Sequence, residues 1–253
     1  MPAISVITPL YNTPKEVLAR TWASLKAQMF TDWEWVIWDD STNDNVWNQV
    51  YGFCSDERYK IQMHKSVTHS GIIGDVKRKG FMVAKGKILV ELDHDDELMP
   101  NALEEIYGTM KDGTIDFAFS DWCEILPNGV SGKYPEGWGL GFGKNYWDEK
   151  MGVWGLSIPT MNDDSVKHIV GVPNHVRAWN AEFYQKIGGH NFKLDVCDDY
   201  ELVLRTYQTG SWKHIPKVLY KQHIGNTTQR KKNKRIQELV PVIYNSLIGT
   251  RLG

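Results

Sequence analysis

The chain has 253 residues, of which 42% are hydrophobic and 24% charged. That composition excludes a disordered or fibrous polymer and provides for one large α/β domain or two small ones. With 29 basic and 31 acidic residues, the formal charge is -2, so there is no broad basic field of the kind general nucleic-acid binding needs. Cys54, Cys123 and Cys197 are odd in number and lack metal-type pairing, which predicts reduced thiols in a cytoplasmic protein. The opening residues carry no basic stretch followed by a long apolar run, and no segment reaches the roughly 20 apolar residues of a membrane span, so secretion and membrane insertion are not expected.

Ile4 to Thr8 is short, β-branched and apolar, the pattern of a strand buried on both faces of a parallel sheet, ending at Pro9. Thr13-Pro14-Lys15-Glu16 combines a capping box with proline at the first helical position. The helix it predicts turns Val17, Leu18, Trp22, Leu25 and Met29 to one apolar face. A second strand, Trp33 to Trp38, runs into the polar tip Asp39-Asp40-Ser41. A third is predicted at Lys60 to His64, then a loop around Gly71 and Gly74 and a basic helix from Asp75 to Ala84. A fourth, Lys87 to Leu92, ends in Asp93-His94-Asp95-Asp96, and a helix from Pro100 to Met110 and a strand from Asp116 to Ser120 complete a regular first half. This is the β-α-β pattern of a doubly wound sheet, whose ligands sit beyond the carboxyl ends of the strands.

Between Asp121 and Pro173 the regularity fails: tryptophans 122, 138, 147 and 154 lie among many glycines, predicting a long functional loop. The glycines match neither dinucleotide-binding nor P-loop spacing. Helices are expected at Ala181 to Ile187, stopped by Gly188-Gly189, and at Asp199 to Thr209. Five of the six residues from Arg230 to Arg235 are basic, and an amphipathic stretch follows to Gly253. By default this tail is solvated; its alternative is peripheral contact with an anionic membrane face or a lipid-linked acceptor.

Asp93, Asp95 and Asp96 directly follow an apolar strand, so three carboxylates crowd at a sheet edge and a cation, solvent or protons must relieve their repulsion. Mg²⁺ or Mn²⁺ is the natural partner, because such ions share their coordination with substrate phosphates and need few protein oxygens. The same string also fits an acidic helix cap on a solvated loop. Asp39 or Asp40 can accept hydrogen bonds from a nucleobase or ribose, or simply close a turn, and Tyr11 can stack on a base or pack at the rim.

Taken in order, Val6-Ile7-Thr8-Pro9-Leu10-Tyr11-Asn12, Asp39-Asp40-Ser41, Ala84-Lys85-Gly86-Lys87 leading into Leu92 to Asp96, Phe183 to Gly189 and Asp198 to Arg205 resemble glycosyltransferase family 2. These are inverting nucleotide-sugar transferases of the GT-A fold. The resemblance runs from about residue 4 to 228 and is weakest from 121 to 173. It implies an α/β, Rossmann-like, mostly parallel sheet flanked by helices, with an irregular Trp/Gly-rich insertion and a basic C-terminal tail. It divides the chain into a catalytic domain over 1–228, with a donor-binding half to 120 and an acceptor half beyond, and a tail over 229–253. It also implies Thr8, Pro9, Leu10, Tyr11, Asp39, Asp40, Lys77, Arg78, Asp93 and His94 at the donor, and Asp93, Asp95 and His223 at Mn²⁺ or Mg²⁺. Asn174, His175, Trp122 and Asp198 are placed at the acceptor, and Asp199 as the general base. Asp198 and Lys79 depart from the family's usual Glu and Asn. The implied partners are a UDP- or GDP-linked sugar and a saccharide or lipid-linked acceptor, with no nucleic acid. Two other readings stay open. A sugar nucleotidyltransferase needs a glycine-rich phosphate loop where this chain has Pro9 to Asn12, and a non-catalytic glycan-binding domain can keep the fold without the activity.

Overall fold

The computed structural model describes residues 1–54, 60–225 and 228–248. In chain order its strands and α-helices are β1 (Ile4–Leu10), α1 (Lys15–Lys26), β2 (Trp33–Asp39), α2 (Asp44–Cys54), β3 (Lys60–Lys65), α3 (Ile73–Val83), β4 (Ile88–Glu91), β5 (Glu97–Leu98), α4 (Ala102–Met110), β6 (Phe117–Ile125), β7 (Lys144–Asp148), β8 (Val153–Ser157), β9 (Arg177–Asn180), α5 (Ala181–Lys186), α6 (Asp198–Thr209), β10 (Trp212–His223) and α7 (Thr228–Leu247). The sheet order is β3-β2-β1-β4-β9-β6-β10-β5, with the β7–β8 hairpin joined to β6. β9 runs antiparallel between β4 and β6, so those two point the same way as β1, β2, β3 and β10. The expected mostly parallel sheet is present, and β9 interrupts it.

Side chains alternate across the sheet, so each strand feeds two cores. Val6, Trp35, Val90 and Ala118 face a core closed by Leu18 and Trp22 of α1 and Leu103 and Ile106 of α4. Ile7, Val36, Leu89 and Phe117 face the other, closed by Phe81 of α3 and Leu202 of α6. Each large apolar side chain so buried contributes about 1.5–3 kcal/mol. Gly86 is required for close approach: a Cβ there would lie 2.4 Å from the Ser5 backbone nitrogen. Its N–H donates to Ser5 Oγ at 2.7 Å.

Several expectations are corrected. β1 runs through Pro9 to Leu10. The Leu92 N–H donates to the Ile7 carbonyl, so Ile7 and Pro9 face the β4 side, and β4 pairing stops at Ile7–Glu91; the missing proline N–H costs the sheet nothing. The capping box does not form: Pro14 is the cap of α1, and the buried Thr13 hydroxyl has no partner among the described residues. Met29 lies beyond the helix and is exposed. The stretch after Asp121 is not a loop throughout, since β6 continues to Ile125 and the β7–β8 hairpin follows. Tyr146 and Gly155 pair across that hairpin, and glycine leaves room for the Tyr146 ring. The tail is not free in solution: Ile236, Val240 and Ile243 of α7 enter the second core. The side chains of Arg230 and Lys231, and residues 249–253, lie outside the described residues. Cys123 and Cys197 are buried free thiols. No helix among the described residues is long and apolar enough to cross a membrane.

Candidate active site

The carboxyl ends of β1, β2 and β4 lie side by side, and β9 enters next to β4 from the opposite direction. This topology sets the first residues of β9 against the last residues of β4. Arg177 and Glu91 meet there, both buried, with Arg177 Nε 3.0 Å from Glu91 Oε2. A further nitrogen of the same guanidinium donates to Asp199 Oδ2 at 2.8 Å. Lys77 of α3 pairs with Glu91 and lies 3.4 Å from Asp198 Oδ2. Two cations and three carboxylates thus form one internal network. Burial works to raise the pKa of Glu91, but Arg177 and Lys77 overcome it and hold the group well below the usual carboxylate range. Burial likewise opposes charge on Lys77, yet Asp198 and Glu91 keep it protonated.

Cys197 begins α6 in the left-handed region, at φ 60°. The helix therefore starts abruptly, and its first two residues face different surroundings. Asp198 is buried, and burial raises its pKa to about 6 against the pull of Lys77. Asp199 retains 30% side-chain exposure. Burial acts to raise its pKa, but Arg177 prevails and the group sits below its ordinary value, an accessible carboxylate with a fixed orientation.

The acidic loop after β4 differs. Tyr220 of β10 donates its hydroxyl to Asp96 Oδ2 at 2.9 Å, and the His223 backbone N–H donates to Asp96 Oδ1 at 2.7 Å. Burial, with repulsion from Asp93 and Asp95, raises the Asp96 pKa well above normal. Among the described residues, no lysine or arginine nitrogen lies within 4.0 Å of the carboxylates of Asp93, Asp95 or Asp96. Asp93, Asp96 and His175 each offer one ligand atom, and these atoms lie within 4.8 Å of one another. His175 stacks on Tyr220 at 4.1 Å, and burial and the Arg177 charge lower its pKa to about 3, leaving a neutral imidazole. Two carboxylates and a neutral imidazole fit a divalent ion.

This gathering departs from the expected metal set. Asp96 and His175 join Asp93, whereas the His223 imidazole is engaged by Glu97, at 2.7 Å. Asp95 instead accepts at its backbone carbonyl from Arg20. His94 Nδ1 is buried without a partner among the described residues. Other expected contacts are also taken up internally. Thr8 is buried and its hydroxyl accepts from Trp35 Nε1; Pro9 and Leu10 are buried with it. Asp39 closes a turn by accepting from the Ser41 N–H. Lys77 is sealed between carboxylates and ties α3 to β4 and α6, and Arg78 donates to the carbonyls of Gly188 and His190 and braces α3 against the turn after α5. Trp122 is a core residue set edge-on to Trp138, and buried Asp198 faces Lys77. Asn174 donates to Gln222.

Beyond the ends of β1 and β2, Tyr11 remains half-exposed and stacks on His69 at 5.0 Å. The Asp40 carboxylate accepts from the Ser70 and Gly71 N–H groups and lies 2.8 Å from His69 Nδ1. Glu91, Arg177 and His69 escaped the sequence reading. For Glu91 a signal existed: a charged residue closing an apolar strand demands a buried partner.

Residues 5–162 match the model of the family described as Glycosyl transferase family 2. Over 259 residues the chain is 25% identical to a chondroitin synthase of Pasteurella multocida (strain Pm70), covering 100% of this chain and 24% of the relative. The chain spans about a quarter of the length of the first curated relatives it matches. The crystal structure of S. aureus TarS 1-349 in complex with UDP-GlcNAc superposes with a TM-score of 0.70 at 16% identity, covering 97% of this chain and 67% of that one. GalNAc-T7 with UDP, GalNAc and Mn²⁺ gives 0.67 at 16% identity, covering 88% and 44%. The fold is that of GT-A glycosyltransferases. Because the family match spans more than half of its length, and takes in the strand tips and acidic loop described above, this chain belongs to glycosyl transferase family 2.

Proposed function

We propose that this chain is a metal-dependent, inverting glycosyltransferase that moves a sugar from a nucleoside diphosphate to a hydroxyl of a saccharide or lipid-linked acceptor. The observation that carries the reading is the Arg177 bridge: one buried guanidinium ties Glu91, two residues before the acidic loop, to the partly exposed Asp199. Donor-side and acceptor-side carboxylates are thereby held about one site. Asp199 accepts the proton of the acceptor hydroxyl as its oxygen bonds to the anomeric carbon, while the bond from that carbon to the diphosphate breaks on the opposite face. Asp93, Asp96 and His175 would hold the ion, which when bound supplies positive charge against the diphosphate. Tyr11 and His69 offer a stacked platform for the base beside Asp40. The UDP-GlcNAc and UDP complexes of similarly folded proteins favour a UDP-linked donor.

The test is release of nucleoside diphosphate from UDP- and GDP-sugars with Mn²⁺ or a chelator, with NMR assignment of the product anomer. The expected result is metal-dependent release with inverted configuration. Retained configuration or full activity in chelator overturns the corresponding part, and pyrophosphate formed from NTP and sugar phosphate replaces the reading with a nucleotidyltransferase.

A further inference from the structure

The β7–β8 hairpin carries two tryptophans that the donor site does not use. Trp147 and Trp154 are direct cross-strand partners, so their side chains share one face. Their rings meet at 67° with centroids 5.6 Å apart, and Trp147 is 49% exposed. Lys133 brings its ammonium 4.2 Å from the centre of the Trp154 ring. The surrounding backbone is tied down. The Trp154 N–H donates to Ser131 Oγ at 2.9 Å, and Tyr134 and Asn145 exchange hydrogen bonds at 3.1 and 3.2 Å. From the opposite face Tyr146 donates to Asp121 Oδ2 of β6 at 2.8 Å. The hairpin is thus fastened to β6, where Trp122 pairs with Leu156 on one side and with Tyr220 on the other, and Tyr220 holds Asp96.

We propose that Trp147, Trp154 and Lys133 form a binding platform for the acceptor, a saccharide chain carrying carboxylate groups. The inference rests on the proposed transfer reaction and supplies its acceptor class. The half-exposed Trp147 ring and the partly buried Trp154 ring, fixed at an angle, match the C–H faces of successive pyranose rings, at low cost in side-chain ordering because the rings are already held. The ammonium on one ring supplies the complement to an acidic substituent. Attachment to β6 sets the platform beside β10, whose Tyr220 holds Asp96 of the acidic loop, so a chain lying on it can lead into the site.

Tryptophan fluorescence titration of the full chain with a chondroitin hexasaccharide and with cellohexaose tests this, alongside UDP binding with Mn²⁺. The acidic glycan is expected to bind more tightly than the neutral one. Trp147→Ala and Trp154→Ala are each expected to weaken it by about tenfold or more, a loss equivalent to about 1.4 kcal/mol. Lys133→Ala is expected to remove the preference for the acidic glycan, and UDP binding should stay unchanged in all three. Equal affinity for the two glycans in the parent protein, or undiminished binding by Trp147→Ala, overturns the proposal. Trp147 is exposed, so that variant folds and the comparison stands. Platform binding without any donor turnover would refute the transferase reading alone, and metal-dependent turnover without platform binding would refute this inference alone.

Discussion

Two sets of carboxylates gather at the end of β4, one around Glu91 of the strand and the start of α6, the other on the loop that follows the strand, and they are met in opposite ways. Glu91, Asp198 and Asp199 share Lys77 and Arg177, cations that the fold itself buries among them. Asp93 and Asp96 have the Tyr220 hydroxyl, backbone N–H groups and neutral His175 nearby, with no lysine or arginine nitrogen within 4.0 Å among the described residues. The first set is complete without a ligand and fixes geometry. The second is met by neutral groups, and its crowding is what an outside cation can answer.

The most damaging change expected on the completed side is Asp199→Asn. Loss of a general base costs about 10²- to 10⁴-fold in kcat. Steady-state transfer assays beside UDP titration check it: nucleotide binding persists, and retained turnover would remove the base assignment. Next comes Arg177→Met, which strands Glu91 and Asp199 without their shared cation. Breaking a buried pair in this way costs about 3–5 kcal/mol, read by urea denaturation. A loss under about 1 kcal/mol would mean that the network is not the brace described here.

On the incomplete side, Mn²⁺ at about a hundred times its dissociation constant should stabilise the fold by about 2.7 kcal/mol, since only the native state gathers the ligands. Thermal-shift measurements should lose this increment in Asp93→Asn and in His175→Gln, but keep it in His223→Gln. Loss of the increment in His223→Gln with its retention in His175→Gln would restore the set read from the sequence. The smallest effect concerns pH. The Asp198 pKa is raised to about 6 from the ordinary 3.8, so the folded state holds an extra proton between these values. Its contribution to stability is therefore complete below about 3.8 and lost as pH rises through about 6. Asp198→Asn should flatten that part of the curve of urea midpoint against pH, and an unchanged slope would show that another group titrates there.

The sequence was most legible where local pattern and final environment agree. β1, β2 and β4 are mostly apolar and buried because both of their faces are covered, and the acidic loop stands out against the strand before it. Legibility failed where the deciding partner is remote. β9 is four residues long and begins with an arginine that only Glu91 and Asp199, far away in sequence, make sense of. β10 contains Pro216 at a break in register, which disguises a strand of 12 residues. For His175 and His223 the sequence offers two histidines with acidic residues available to each. Only the pairing of β10 with β5, which sets His223 beside Glu97, separates them.

The left-handed residue at the head of α6 has a consequence for how the chain can vary. Successive helical positions differ by about 100° in direction. Cys197 sets the phase of that rotation, pointing Asp198 inward to Lys77 and Asp199 toward Arg177 and open solvent. Advancing the helix register by one residue would bring Asp199 to the buried address beside Lys77 and Tyr200 to the address beside Arg177 and solvent, so the spacing before the helix is as constrained as the two side chains themselves.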